Sequence, residues 1–319
     1  MKLPLQDFSD SQILSARPSR NALNPDRPYE FLVESECGAD GLVEDVATIF
    51  LTNRECPFRC LMCDLWKNTT VESAPVGTIP RQIDYALERL PPAQHVKLYN
   101  SGNFFDAKAI PKADWPGIVE RVRSFKSVIV ENHPKLCGEG CFEFRDMLAQ
   151  HGVELEVALG LETVHHEVLP RLNKQMTLGD FSRAARLLVS AGIRLRTFIL
   201  LRPPFLSEDE GVEWALRSIE FAFAEGVSCC SIVPTRTGNG IMEQLKVDGL
   251  FAPPQLASME TVQEQGLQSG SGRVFMDTWD AQQFAECSKC AEQRIQRIAG
   301  MNLSQQIMPR IVCEKCGDG

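Results

Sequence analysis

Three cysteines stand together in the stretch LTNRECPFRCLMCDLW (51–66): Cys56, Cys60 and Cys63, separated by three and then two residues. Thiolates are soft donors that select zinc, copper(I) or an iron–sulfur cluster. A structural zinc site wants four closed ligands, usually in paired spacings. No fourth cysteine lies in this loop, so the triplet matches a cubane that keeps one iron open to a small molecule.

A second group lies near the C-terminus, where Cys287-x2-Cys290 and Cys313-x2-Cys316 are separated by 22 residues. Two such knuckles read as a four-cysteine zinc site. An auxiliary 4Fe–4S cluster would use the same four thiolates, and zinc is the expectation. Between the knuckles, Arg294 and Arg297 share a helix face. They could touch a phosphate backbone, although such pairs are more often solvated surface. Cys229 and Cys230 alternate across one strand and are expected in the core. Cys37, Cys137 and Cys141 carry no assignment.

The chain has 319 residues, of which 44% are hydrophobic and 24% charged, with 12 cysteines and a net charge of −9. This length suits a barrel of 200–250 residues plus an appendage. Clustered thiols in a reduced cytosolic protein more often bind metal than form disulfides. The acidic balance argues against an obligate nucleic-acid binder. No apolar run is long enough to span a membrane, and the start shows no signal peptide, so a cytoplasmic location is expected.

These cysteines need elements to position them. Strand-like runs occur at 46–52, 95–101, 127–133, 155–162, 195–202 and 228–235, with a further candidate at 272–279. Helical patterns near 79–90, 114–125, 139–151, 177–191 and 207–225 lie between them, the last opening on a capping box at Ser207 and Glu210. This alternation predicts parallel βαβ units. The expected fold is α/β, a partial (β/α)6 TIM-like barrel with an irregular N-terminal arm and a small Cys-rich C-terminal metal-binding extension. The expected boundaries are 1–43 for the arm, 44–245 for the barrel, 246–283 for a barrel-closing segment and 284–319 for the four-cysteine tail.

Active sites of parallel βα barrels gather at the C-terminal ends of the strands. The second run ends in Asn100-Ser101-Gly102-Asn103, where glycine permits close backbone approach. The third places Glu131 and His133 on one face, and these are the candidate catalytic residues. The fourth places Glu156, Ala158, Gly160 and Glu162 on one face, the small residues leaving room for a bound molecule. The fifth carries Arg194, Arg196 and Arg202 on one face. Arg196 or Arg202 could hold a carboxylate bidentately.

The CxxxCxxC triplet after the first strand of such a barrel resembles the radical SAM superfamily. One departure is Met62, where an aromatic residue is usual. Gly160-Leu161-Glu162-Thr163 and Arg202-Pro203-Pro204-Phe205-Leu206-Ser207-Glu208 are similar to segments of the elongator catalytic subunit and of archaeosine-synthase-type enzymes. The resemblance spans 44–245. It implies a 4Fe–4S cluster on Cys56, Cys60 and Cys63. S-adenosylmethionine would sit on the open iron, seated by Asn100, Ser101, Gly102, Asn103, Glu162 and a basic fifth-strand residue, Arg196 or Arg202. It implies reductive cleavage to a 5′-deoxyadenosyl radical, fed by a reductant such as flavodoxin or ferredoxin. The substrate would be a small molecule or nucleotide. The branch suggests tRNA-base modification, which the net charge does not favour. A reading from another class is a non-catalytic iron–sulfur or zinc module for electron transfer or structure.

Overall fold

A computed structural model describes residues 7–318. The first six residues, part of the start read above as lacking a signal peptide, lie outside the described residues. The framework is one eight-stranded sheet curled into a half-barrel. Its strands are β1 (Glu30–Cys37), β2 (Val43–Phe50), β3 (His95–Tyr99), β4 (Ser127–Asn132), β5 (Glu154–Glu162), β6 (Arg194–Leu201), β7 (Cys229–Pro234) and β8 (Arg273–Met276). They lie side by side in chain order, with β1 antiparallel to β2 and all later neighbours parallel. The helices are α1 (Asp10–Ala16), α2 (Thr78–Leu87), α3 (Trp115–Val122), α4 (Glu139–Ala149), α5 (Val168–Arg171), α6 (Leu178–Ser190), α7 (Glu208–Ala224), α8 (Ile241–Val247), α9 (Leu256–Gln268) and α10 (Ala291–Ser304).

Strand periodicity sorts the side chains between two environments. Val96, Leu98, Val128, Val130, Val157, Leu159, Leu161, Leu195, Ile199 and Leu201 face the helices and form the main core. Cys230 belongs to that core. Cys229 is equally buried but packs with Cys37 and Phe275. Capping boxes at Thr177 and Ser207 open α6 and α7 and fix where these helices start.

The expected irregular arm contains two regular elements, α1 and β1. In β1 the half-buried Phe31 and Val33 pack against the core, while Glu34 and Glu36 point charge toward other strands.

Arg196 belongs to the opposite end of the barrel from the cysteine triplet. It lies near the start of β6 and is 3% exposed. It donates to Glu156 Oε1 at 2.7 Å and pairs with Glu36, which also accepts from Lys97 at 2.6 Å. Burial opposes the Glu36 charge, but Arg196 and Lys97 outweigh it and hold the carboxyl well below its usual range. The expectation that Arg196 seats a cofactor is therefore corrected. Six residues along a strand separate it from Arg202 by about 20 Å.

Arg294 and Arg297 are not solvated and do not present themselves to a phosphate. Each is 3% exposed. Arg294 donates to Glu260 at 2.6 Å and Arg297 to Glu260 and Glu264 at 3.0 and 2.6 Å, joining α10 to α9. Among the described residues, no helix is long and apolar enough to cross a membrane.

Candidate functional site

The triplet lies in the connection from β2 to α2, at the C-terminal edge of the parallel strands. The loop is fastened on several sides. Leu51 N–H donates to Tyr99 O at 2.7 Å, and Thr52 exchanges backbone hydrogen bonds with the buried Gln82 side chain. Glu55, beside the first cysteine, is clasped by Arg17, Arg20 and Arg59. Asn239 Nδ2 donates to Leu61 O at 2.7 Å and to Cys63 O at 3.2 Å.

The 100–103 turn approaches this loop directly. A Cβ on Gly102 would stand 3.4 Å from Cys56 Cβ. Asn103 Nδ2 donates to Cys56 Sγ at 3.1 Å, while its Oδ1 accepts from His133 N–H at 2.7 Å. Ser101 has φ of 52° and shares a 2.9 Å hydrogen bond with the Tyr29 hydroxyl. The Asn100 amide is wholly buried, and neither its oxygen nor its nitrogen has a partner. Buried polar atoms of this kind cost stability unless a ligand satisfies them.

Glu131 and His133 are occupied as supports. Glu131 Oε1 accepts from Asn100 N–H at 2.7 Å and Gly102 N–H at 3.2 Å, which fixes the turn. Burial raises its pKa, against the pull of those amides. The His133 ring stacks on Phe58 of the cysteine loop, with centroids 3.7 Å apart and planes 15° from parallel. His133 Nε2 donates to Lys174 O at 2.9 Å and Nδ1 accepts from Lys135 N–H at 3.2 Å. Burial, followed by the Lys174 charge, pushes its pKa down to about 4. A neutral ring with both nitrogens engaged is a platform, not a free acid or base.

A basic group that the structure brings to the triplet from outside its loop is Lys174. It is 8% exposed and paired with Glu162. Burial works against its charge, but Glu162 and the Cys60 and Cys56 sulfurs outweigh it and raise its pKa. Its neighbours Asn173 and Gln175 have φ of 50° and 57°, and Glu162 has φ of 66°. Such left-handed residues are strained unless held. The hold is visible: Leu61 N–H donates to Leu172 O at 2.8 Å, and Asn173 Nδ2 donates to Arg59 O at 2.8 Å. The Leu172–Gln175 segment and the cysteine loop thus brace each other. No spacing signal marks Lys174, which lies 12 residues beyond Glu162 in a stretch without periodicity.

Arg202, with φ of 53°, pairs with Glu208 at the start of α7 and donates to Pro253 O at 2.7 Å. It packs against Gly211 of α7 rather than joining the triplet. The structure brings the Asn100, Ser101, Gly102 and Asn103 turn and Glu162 close to Cys56, Cys60 and Cys63. Arg196 and Arg202 lie elsewhere.

The triplet's donor set fits a cluster. Burial pushes the Cys60 thiol up to about 12, and raises Cys56 and Cys63 as well. Thiols in such a setting surrender their protons only to a strongly bound cation. The Asn103 hydrogen bond to Cys56 Sγ is of the kind that tunes a cluster's potential.

The tail brings its four cysteines together. The sulfurs of Cys287, Cys290, Cys313 and Cys316 all lie within 4.8 Å of one another. Backbone N–H groups of Lys315 and Cys316 hold the Cys313 thiol down at about 6, and those of Lys289 and Cys290 lower Cys287 in the same way. Neighbouring thiols push Cys316 up to about 12.

The half-barrel shares its fold with two solved structures. It superposes on Elp3 of Methanocaldococcus infernus with a TM-score of 0.51 and 17% identity, over 70% of this chain and 59% of that one. It also superposes on SuiB of Streptococcus suis bound to S-adenosylmethionine, with a TM-score of 0.50 and 12% identity, over 73% of this chain and 51% of that one. The chain thus spans between half and three fifths of each structure's length. By sequence, it is 23% identical to the uncharacterized protein MJ0550 of Methanocaldococcus jannaschii over 92% of this chain and 86% of that one. It is 33% identical to archaeosine synthase subunit beta of Thermococcus kodakarensis, over 39% of each chain. The subunit of that name from Methanosarcina acetivorans is 26% identical over 65% of this chain and 61% of the relative. No protein-family model matches the sequence.

Proposed function

We propose that the chain is a radical SAM enzyme, with a 4Fe–4S cluster on Cys56, Cys60 and Cys63 and S-adenosylmethionine in the seat beside it. The observation that carries this reading is the approach of the 100–103 turn to the triplet, with Asn103 donating to Cys56 Sγ at 3.1 Å beside the unpartnered Asn100 amide. The bound groups would supply one-electron cleavage of a sulfonium carbon–sulfur bond, yielding methionine and a carbon radical that takes hydrogen from the substrate.

The chain's own residues orient and shield. Glu131 fixes the backbone of the turn that faces the cofactor. His133 and Phe58 brace the cysteine loop. Lys174, paired with Glu162, places a buried positive charge beside the cysteine sulfurs. It offsets the negative charge that three thiolates bring to a dry site.

The archaeosine synthase relatives support a nucleoside as the substrate class. With a net charge of −9, the chain would receive that substrate from a partner protein or as a free nucleotide. A flavodoxin or ferredoxin would be the electron donor. Residues 44–245 would form the catalytic core and 246–283 the segment that closes it, with a metal-binding tail from 284.

The test is anaerobic reconstitution. The reduced cluster's EPR spectrum should change when S-adenosylmethionine is added, and dithionite should release 5′-deoxyadenosine and methionine. Full cluster content and cleavage in Cys60→Ala would sink the assignment. A cluster that binds but cleaves nothing would favour an electron-transfer module.

A further inference from the structure

We propose that Cys287, Cys290, Cys313 and Cys316 close around a single zinc ion, and that this ion staples α10 across the open side of the half-barrel. The sulfur spacing argues for one ion. Cys290 Sγ and Cys316 Sγ are 3.7 Å apart, and all four sulfurs fall within 4.8 Å. A tetrahedral zinc with Zn–S of about 2.3 Å has sulfur–sulfur edges of about 3.8 Å. A cubane places an iron–sulfide core between its thiolates and spreads them further. Four thiolates also leave no open position, which marks a structural site.

The tail needs such an ion. Its apolar cluster consists of Cys287, Cys290 and Cys313 with Ile311 beside them. Its two-stranded ribbon pairs only Val312–Cys313 with Gly317–Asp318. Ile307, Met308 and Val312 are exposed. A ribbon that small does not hold itself together in water.

What the ion secures is the last edge of the sheet. Cys290 immediately precedes α10. Near the far end of that helix, two amide side chains pair with β8 as a ninth strand would. Met276 N–H donates to Asn302 Oδ1 at 2.8 Å, and Asn302 Nδ2 donates to Met276 O at 2.9 Å. Val274 N–H donates to Gln305 Oε1 at 2.8 Å, and Gln305 Nε2 donates to Val274 O at 3.3 Å. The helix thus covers an edge whose backbone groups would otherwise be open to pairing with other chains. Because α10 also packs against β1, it bridges the first and last strands. The return segment is tied to the helix where Arg297 Nε donates to Pro309 O at 2.8 Å, and the second knuckle then meets the first at the helix start.

Two measurements test this, and neither depends on radical chemistry. The first is metal analysis of the Cys56→Ala/Cys60→Ala/Cys63→Ala chain. About one zinc per chain with no iron or acid-labile sulfide is expected, and iron with sulfide would overturn the zinc assignment. The second is hydrogen exchange in Cys313→Ser/Cys316→Ser. Exchange in β8 and α10 should accelerate at least tenfold while β3–β6 keep their protection, and unchanged protection in β8 and α10 would overturn the staple. Should that variant fail to fold, the Cys56→Ala/Cys60→Ala/Cys63→Ala chain before and after zinc removal by a strong chelator gives the same comparison.

Discussion

Lys174 Nζ occupies the space that a Cβ on Gly160 would need, and Glu162 Oε1 presses on the same point. The small residues on the inner face of β5 therefore accommodate an internal ion pair next to the cysteine loop. Gly160→Ala should force that pair apart. Overpacking of this kind costs about 1–3 kcal/mol, to be read from urea unfolding of the apoprotein. Wild-type stability in this variant would show that the pair has slack.

Lys174→Met leaves Glu162 buried without its partner. Breaking one side of a buried pair costs about 3–5 kcal/mol, while replacing both sides with apolar groups is often neutral. Lys174→Met should therefore be much less stable than Lys174→Met/Glu162→Leu. In reconstituted protein the single variant should also shift the cluster's midpoint potential to a more negative value in an EPR-monitored titration, because a nearby positive charge has been lost. An unchanged potential would remove Lys174 from the cluster's electrostatic environment.

Arg196→Met separates the two ends of the barrel. It takes from Glu156 and Glu36 the guanidinium they share, leaving Lys97 on Glu36 and Arg273 near Glu156, and should cost about 3 kcal/mol. Iron uptake per folded chain should match that of the wild type. A specific loss of S-adenosylmethionine binding in the folded fraction would restore Arg196 to the cofactor seat.

His133 gives the apoprotein a definite pH dependence. Its folded pKa of about 4 lies below the ordinary value of 6.5. The unfolded chain therefore binds more protons in the window between them. The stabilisation is complete above pH 6.5 and is lost as pH falls toward 4, at up to about 1.4 kcal/mol per pH unit. His133→Phe keeps a ring against Phe58 and should flatten that part of the stability profile. An identical slope in the variant would assign the dependence to other groups.

Much of the helix and strand order was legible because burial imposes a period. Runs such as Val96–Leu98 and Val157–Leu161 have one face against helices, and that requirement is written in residue order. β1 was not legible, since its short apolar run at 31–33 is flanked by acids whose partners, Lys97 and Arg196, lie far along the chain. Arg196 and Arg202 look alike on one strand face in the sequence. Their different fates follow from strand length, which puts them at opposite ends of β6.

The sequence by itself determined the two cysteine groupings and the βα alternation that positions them, since both depend on local spacing and periodicity. Only the tertiary structure decided which polar groups meet them. Lys174 reaches the triplet because a segment with two left-handed residues is braced against the cysteine loop. Arg294 and Arg297 turn inward because Glu260 and Glu264 of α9 lie beneath them. Electrostatic partners separated by tens or hundreds of residues leave no local trace, because what selects them is the cost of burying a charge alone.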